Sequence, residues 1–276
     1  MTPRLFVEVD LAAGASVELA AAPAHYLRDV LRLGAGATVT LFNGRDGEWS
    51  TAVDTVAKRS VTLRVTARQR AQTVEPDLWL CFAPVKKARI DFIAEKATEL
   101  GVSVLRPVLT RHTMVERVNV ERLRANAIEA AEQTERLSVP AVEEPVTLAK
   151  LLASWPVGRR LMICDETGGG APVGGALAAL DEDARAAPWA VLIGPEGGFA
   201  REELDRISTV PGVLPVGLGP RILRADTAVV AALACWQAMV GDWRAATPRS
   251  SPDYATDRNF EGDTRGNLIR DMREEG

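Results

Sequence analysis

The chain has 276 residues, of which 47% are hydrophobic and 25% are charged, and its formal net charge at pH 7 is −4. These values are ordinary for a globular protein and predict about two domains of roughly 150 residues each. The acidic balance excludes a uniformly basic nucleic-acid-binding protein, because contacts to phosphates need lysine and arginine. It leaves room for a basic patch on one face.

Cysteine and histidine are too few and too scattered to predict metal or disulfide chemistry. Cys81, Cys164 and Cys235 lie far apart in apolar surroundings and are expected to be reduced core thiols. His25 and His112 are the only histidines, so a zinc site and a histidine-based catalytic triad have little support. We find neither an apolar signal core nor a run of roughly 18 apolar residues. We therefore expect a cytoplasmic protein that binds no metal and no membrane.

Residues 1–72 carry the pattern of a small β-barrel. One helix, about Pro23 to Leu31, interrupts a series of short alternating apolar runs, and turn signals such as Asn43-Gly44 separate these runs. Short strands around one helix favour a barrel over a sandwich. The predicted strands are Leu5 to Val9, Ala37 to Phe42, Trp49 to Val56 and Val61 to Thr66.

Residues 73–246 change to an alternation of strands and helices, which predicts an α/β domain with a mostly parallel sheet and helices on both faces. Residues 247–276 have few apolar groups and many mixed charges, and we expect them to form a disordered tail. The predicted strands are Leu78 to Ala83, Val102 to Pro107, Leu161 to Cys164, Ala190 to Ile193 and Val213 to Val216. The predicted helices are Arg89 to Leu100, Val120 to Gln133, Thr147 to Leu152, Gly175 to Leu180, Arg201 to Ser208 and Thr227 to Trp243.

Two glycine-rich loops in this second domain are the most informative features of the chain. One runs from Ile193 to Phe199 and the other from Gly217 to Ala228, and each lies between a predicted strand and a predicted helix. This arrangement places backbone amides at the carboxyl edge of a sheet, where α/β proteins bind ligands. Neither loop fits a phosphate-binding P-loop or a dinucleotide-binding fingerprint, so a different ligand is expected.

Together the two loops resemble the signatures of the SPOUT methyltransferases, which carry a trefoil knot at the carboxyl end of a parallel sheet. The chain is most similar to the RsmE type, the 16S ribosomal RNA uridine N3-methyltransferases, over about residues 4–243. One departure is Asp226, since family members commonly carry Glu there. Three further parts of the chain resemble the family: His25 to Leu33 with Leu41 to Gly44 in its PUA-like barrel, Lys87 to Val102, and Glu132 to Pro140.

The resemblance implies S-adenosylmethionine as methyl donor, held in the knot by backbone groups of both loops. The methyl group must point in line toward the acceptor nitrogen, so positioning carries much of the rate. The expected cofactor-binding residues are Ile193, Gly194, Pro195, Glu196, Gly197, Gly198, Leu218, Gly219, Arg221, Ile222 and Leu223.

Uridine N3 is a weak acid and a poor nucleophile until its proton leaves, so the site needs a base or cations that stabilise the anion. Arg221 and Arg224 are the cations nearest to the cofactor loop. The alternative for both is a salt bridge to Asp226 or Glu196. Arg136, with Glu132 and Gln133, is a further candidate for catalysis or substrate contact, and an inert helix end is the alternative. The sequence does not indicate which residue acts as the general base.

RNA contacts are expected from two clusters of basic side chains. Arg28 and Arg32 are four residues apart on the predicted helix and would therefore share one face. A solvated basic face without a ligand is the alternative. The candidates are Arg4, Arg28, Arg32 and Arg45 in the barrel, and Lys86 and Lys87 at the start of the second domain.

The last predicted helix is apolar on almost all sides, so it belongs either to a deep core or to a partner interface. The resemblance implies a homodimer with its active sites at that interface. The expected function is methylation of N3 of uridine 1498, in the standard numbering of 16S ribosomal RNA, with the free RNA or the small ribosomal subunit as substrate. The alternatives are a SPOUT methyltransferase for another RNA position and a non-catalytic RNA-binding protein. Intact glycine loops argue against the second alternative.

Overall fold

The structure is a computed structural model that describes residues 2–115, 117–164 and 169–244. The expected tail at residues 247–276 lies outside the described residues. Two sheets organise the described part of the chain, one of five strands and one of eight. Its helices include none that is long and apolar enough to cross a bilayer.

The first sheet is a curled half-barrel, which confirms the predicted PUA-like barrel. Its strand order is β1-β3-β4-β5-β2, with β1 parallel to β3 and the other neighbours antiparallel. Register shifts between β4 and β5 increase the local twist and so curl the sheet around its core. The strands are β1 (Arg4–Phe6), β2 (Ser16–Ala20), β3 (Thr38–Phe42), β4 (Glu48–Val56) and β5 (Ser60–Arg70).

The helix of the barrel differs from the prediction. A short α-helix, α1 (Ala21–His25), continues into a π-helical segment, Tyr26–Val30, in which Leu31 N–H donates to the Tyr26 carbonyl. Arg32 follows with a φ of 54°, a left-handed conformation that ends the helix. The prediction that Arg28 and Arg32 share a helix face is therefore wrong, because Arg32 lies beyond the helix and the π-helical turn changes the spacing.

The second sheet has parallel pairing between all its neighbouring strands, in the order β11-β13-β10-β12-β6-β7-β8, and β9 also pairs with β7. This confirms the predicted mostly parallel sheet. The strands are β6 (Leu78–Phe82), β7 (Val104–Leu109), β8 (Ala141–Val142), β9 (Val146–Thr147), β10 (Arg160–Cys164), β11 (Ala171–Pro172), β12 (Trp189–Ile193) and β13 (Val213–Gly217).

Helices cover both faces of this sheet because successive strand residues point to opposite sides. Leu80 and Val191 pack into a core with α2, α3, α5 and α8, whereas Cys81 and Leu192 pack into a second core with α4 and α7. The helices are α2 (Lys87–Glu99), α3 (Val120–Gln133), α4 (Leu148–Ala153), α5 (Val173–Ala178), α6 (Glu182–Ala186), α7 (Arg201–Ile207) and α8 (Ala225–Met239), followed by a 3₁₀ turn, Asp242–Arg244.

The strand order determines where a ligand can bind. β10 lies between β12 and β13, so the loops that follow β12 and β13 rise on either side of the carboxyl end of β10. A crevice opens at such a point in α/β sheets, because neighbouring connections leave in opposite directions.

Candidate functional site

A cavity of about 530 Å³ opens at the carboxyl ends of β10, β12 and β13. Both glycine-rich loops line it, together with the last residue of β10 and the first turn of α8. Its lining residues are Cys164, Ile193, Gly194, Pro195, Glu196, Gly198, Phe199, Gly217, Leu218, Gly219, Pro220, Arg221, Ile222, Leu223, Arg224, Ala225 and Ala228.

All the predicted cofactor-binding residues except Gly197 line this cavity. Two glycines show why the loops need that residue type. A Cβ added at Gly194 would lie 2.7 Å from the ring of Phe199, so a larger residue there would require that ring to move. Gly219 has a φ of 105°, which side-chain-bearing residues rarely adopt. Gly197 contacts His112 instead, and its added Cβ would lie 3.3 Å from the Cβ of that histidine.

The two predicted cations lie at the cavity without a carboxylate partner. Arg221 and Arg224 are both exposed, and within the described residues neither forms an ion pair or a side-chain hydrogen bond. Their alternative partners are engaged elsewhere: Glu196 pairs with Arg89, and Asp226 Oδ2 lies 3.9 Å from Arg89 Nε. The arrangement therefore offers two unneutralised guanidinium groups to a ligand that carries or develops negative charge.

Arg89 connects Asp226 to the first glycine-rich loop. This arginine stands in the first turn of α2, and its guanidinium faces Glu196 on the first loop and Asp226 in the first turn of α8. Asp226 also accepts a hydrogen bond from Thr227 N–H at 2.9 Å, which holds its carboxylate at the helix start. One cation thus joins the two loops that enclose the cavity.

Cys164 forms part of the cavity wall at the end of β10. Burial, with a smaller contribution from the neighbouring Cys235, raises the pKa of its thiol to about 12, so the thiol stays neutral. The sequence predicted a core thiol and missed its position beside the ligand. Strand order could have indicated it, because the end of β10 lies between the two loops. Phe199, Gly217, Pro220, Ala225 and Ala228 were also missed as lining residues.

Arg136, which the sequence predicts as a catalytic residue, is not among the residues that line the cavity. Its guanidinium is 7% exposed, with Nη2 2.5 Å from Glu75 Oε2. Its Nη1 donates to the Thr98 carbonyl at 2.8 Å. These contacts engage the side chain within the protomer, and the catalytic assignment of Arg136 stays a prediction.

Arg4, which the sequence predicts as an RNA contact, is engaged within the protein. Its side chain is 9% exposed and forms a 2.6 Å ion pair with Glu48. Its two terminal nitrogens donate to the carbonyls of Ala131 and Arg136, at 2.7 and 2.6 Å. These contacts involve all three nitrogens of the guanidinium, and the RNA-binding assignment of Arg4 stays a prediction.

The other basic candidates differ in how much of their side chain is engaged. Arg28 donates to the Asp29 carboxylate and to the carbonyls of Ala57 and Lys58, and Arg45 donates to Asp10 and to the Glu8 carbonyl. Arg32 and Lys86 are exposed and have no side-chain partner within the described residues. The side chain of Lys87 is outside the described part. The RNA-binding assignments of these residues stay predictions.

Comparisons with known proteins agree in family and fold. Residues 73–237 match a family model described as an RNA methyltransferase domain, and residues 22–66 match one described as an RNA methyltransferase PUA domain. The chain is 30% identical over 232 residues to ribosomal RNA small subunit methyltransferase E of Rickettsia conorii. That match covers 84% of this chain and 93% of the relative. The chain is 32% identical over 236 residues to the Synechocystis protein of that name, covering 85% and 77%.

Two solved structures are similar over most of the chain. Ribosomal RNA small subunit methyltransferase E from Neisseria gonorrhoeae, bound to S-adenosyl methionine, has a TM-score of 0.78 and 25% identity, covering 88% of this chain and 100% of that one. A Legionella pneumophila protein described as a methyltransferase, in complex with the cofactor SAM, has a TM-score of 0.76 and 28% identity, covering 88% and 99%.

Proposed function

The chain belongs to the RNA methyltransferase family, in its ribosomal RNA small subunit methyltransferase E group, and from this premise we propose that it methylates N3 of a uridine in 16S ribosomal RNA. The proposed target is uridine 1498 in standard numbering, and the methyl donor is S-adenosylmethionine. The observation that carries the proposal is one cavity enclosed by both glycine-rich loops, in a chain whose structural neighbours hold this cofactor.

The residues of the cavity fit this cofactor. Its volume of about 530 Å³ lies within the range of small-molecule sites, roughly 300–1,000 Å³. The apolar side chains of Ile193, Leu218 and Leu223 suit the faces of an adenine ring, and the glycine-rich backbone offers N–H and C=O groups to its edge. When bound, S-adenosylmethionine supplies an electrophilic methyl group on a sulfonium sulfur.

The protein's own part in the reaction is to bind the uridine and stabilise its anion. When the N3 proton leaves, negative charge spreads over N3 and the two carbonyl oxygens of the base. Arg221 and Arg224 lie unpaired at the cavity, within the described residues, and are the groups proposed to stabilise that charge. Preformed cations in a confined site favour the anion more strongly than water does.

We further propose a cytoplasmic homodimer, with residues 1–72 as the PUA-like domain, residues 73–246 as the methyltransferase domain and a trefoil knot in the latter. Two features support the dimer. Ile222 is 87% exposed at the cavity, and α8 leaves apolar residues such as Ala238 uncovered beside its buried face. A second copy that covered these apolar groups would bury them, which is favourable for association.

Two measurements test the function. Calorimetry with S-adenosylmethionine should show binding to the wild-type protein, and absence of binding would contradict the enzymatic proposal. Mapping of methylated nucleotides in ribosomal RNA from a deletion strain should show loss of N3-methyluridine at position 1498, restored by the gene. Loss of a methyl group at another position would replace the proposed target.

A further inference from the structure

The turn at residues 110–113, which follows β7, contacts the first glycine-rich loop from outside the cavity. His112 Nδ1 lies 3.0 Å from the carbonyl oxygen of Gly197 and 3.0 Å from that of Gly198. Gly198 lines the cavity, whereas neither Gly197 nor His112 does. The imidazole therefore supports the outer side of a loop whose inner side encloses the ligand.

The chemistry of this contact fixes the proton on Nδ1. Both partners are carbonyl oxygens, which only accept, so Nδ1 must donate. A proton is present on Nδ1 in the corresponding neutral tautomer and also in the imidazolium ion. The contact is close as well as directional, because a Cβ at Gly197 would lie only 3.3 Å from the Cβ of His112.

The same turn also fixes the end of the loop. Arg111 N–H donates to Glu203 Oε1 at 2.9 Å, and Ala200 N–H donates to Glu203 Oε2 at 2.9 Å. The carboxylate of Glu203 thus joins the turn to the start of α7. Within the turn, Thr110 N–H donates to Thr113 Oγ1 at 2.9 Å, which keeps the turn itself closed.

We infer that His112 is a positioning residue that holds Gly197 and Gly198 in the shape that encloses the cofactor. The inference rests on the proposed function, since it assumes that S-adenosylmethionine binds in this cavity. A loop with three glycines has many accessible conformations, and ordering it opposes binding. Contacts that order the loop beforehand reduce this loss and so increase the affinity.

Three substitutions at one position test the role of the Nδ1 donor. His112→Ala removes the donor, His112→Asn places an amide nitrogen close to the Nδ1 position, and His112→Gln places it one bond further away. We expect calorimetry to show that the Ala and Gln variants bind S-adenosylmethionine roughly 3- to 10-fold more weakly, as for the loss of one hydrogen bond. The Asn variant should bind it with near wild-type affinity. The thermal unfolding midpoint should change little, because the contact is confined to a loop.

His25→Ala is the matched control, since His25 is the other histidine and pairs with Asp29 in the barrel. It should bind the cofactor as the wild type does. Normal binding by His112→Ala, or a lower unfolding midpoint with unchanged affinity, overturns the positioning role while the proposed function stands. Absence of binding by the wild-type protein overturns the proposed function and this inference together.

Discussion

Arg224 differs from most arginines of the described chain because it is exposed at the cavity and unpaired there. Many of the others, among them Arg4, Arg89 and Arg136, have carboxylate partners. Arg224 also precedes α8 directly as its N-cap residue, with extended backbone, so its Cα position is fixed by the helix start. A cation whose backbone is held beside the cavity, and which has no protein counter-charge, is available to stabilise a developing anion.

We expect Arg224→Ala to lower turnover by about 10²–10³, as for the loss of one group that stabilises transition-state charge, while cofactor binding is kept. Methyl transfer from labelled S-adenosylmethionine to ribosomal RNA measures the first quantity, and calorimetry measures the second. Arg201→Ala is the control, since Arg201 is 87% exposed, lies outside the cavity and pairs with Asp205. Normal turnover in the Arg224 variant would exclude this residue from the mechanism.

At the scale of elements, the carboxyl end of α3 packs against the first sheet and hydrogen-bonds to it. Glu132, in its last turn, accepts a hydrogen bond from Phe6 N–H of the first sheet at 2.9 Å. Burial raises the pKa of Glu132, and the contacts to Phe6 and Arg4 oppose this only in part. A group whose pKa is raised on folding favours the folded state below its unfolded pKa, and this contribution is lost as the pH rises through the folded pKa.

Glu132→Gln should therefore increase the free energy of unfolding at pH 7 by up to about 1 kcal/mol, because it removes the buried charge and keeps an acceptor for Phe6. The gain should vanish below about pH 4, where the wild-type carboxyl is itself protonated. Urea unfolding at the two pH values measures the difference. Glu129→Gln, on the exposed side of the same helix, should change stability little at either pH. A lower stability of the Glu132 variant at pH 7 would contradict the argument.

The elements that sequence analysis predicted best are those with strong local patterns. The predicted helix Val120 to Gln133 is confirmed without change, because apolar positions recur along it and Asn119 caps its start. The family resemblance is confirmed by the matching family models. The two-residue strands β8, β9 and β11 were missed, since two residues cannot show a period. The π-helical segment was missed because five residues are too few to show a period that differs from that of an α-helix.

The predictions for the site also depended on whether the sequence pattern is local. Loop residues were predicted from local sequence, and all but one of the predicted cofactor-binding residues line the cavity. The ion pairs of Arg4 and Arg136 were not predicted, because their partners, Glu48 and Glu75, lie far away in sequence. A charge pattern shows which side chains can bind phosphate. It does not show which of them the fold has already paired.

At the scale of the molecule, an ion-pair network joins the first sheet to the end of α3. Glu48 on β4 is its centre: Arg4 donates to the carboxylate at 2.6 Å and Arg70 at 2.7 and 2.8 Å. Arg4 also donates to the Ala131 and Arg136 carbonyls, and Arg70 donates to that of Glu135. Donors at the last carbonyls of α3 also suit the negative end of its helix dipole. The barrel is therefore held against the end of α3.

Burial alone would raise the pKa of Glu48, but hydrogen bonds and charges of Arg70 and Arg4 outweigh it and hold the pKa below its usual value. A carboxyl with a depressed pKa stabilises the fold above its unfolded pKa, and this stability is lost as the pH falls through the folded pKa.

Glu48→Gln should lower the free energy of unfolding at pH 7 by about 3 kcal/mol, because two part-buried arginines lose their counter-charge. Below about pH 4 the same substitution should lower it by less. Asp54→Asn breaks the exposed Arg64 pair of the same sheet and should cost less than about 1 kcal/mol. Urea unfolding followed by tryptophan fluorescence tests both, since Trp49 reports on the first sheet and Trp189 on the second. Equal losses in the two variants would show that this network contributes no more than a surface ion pair.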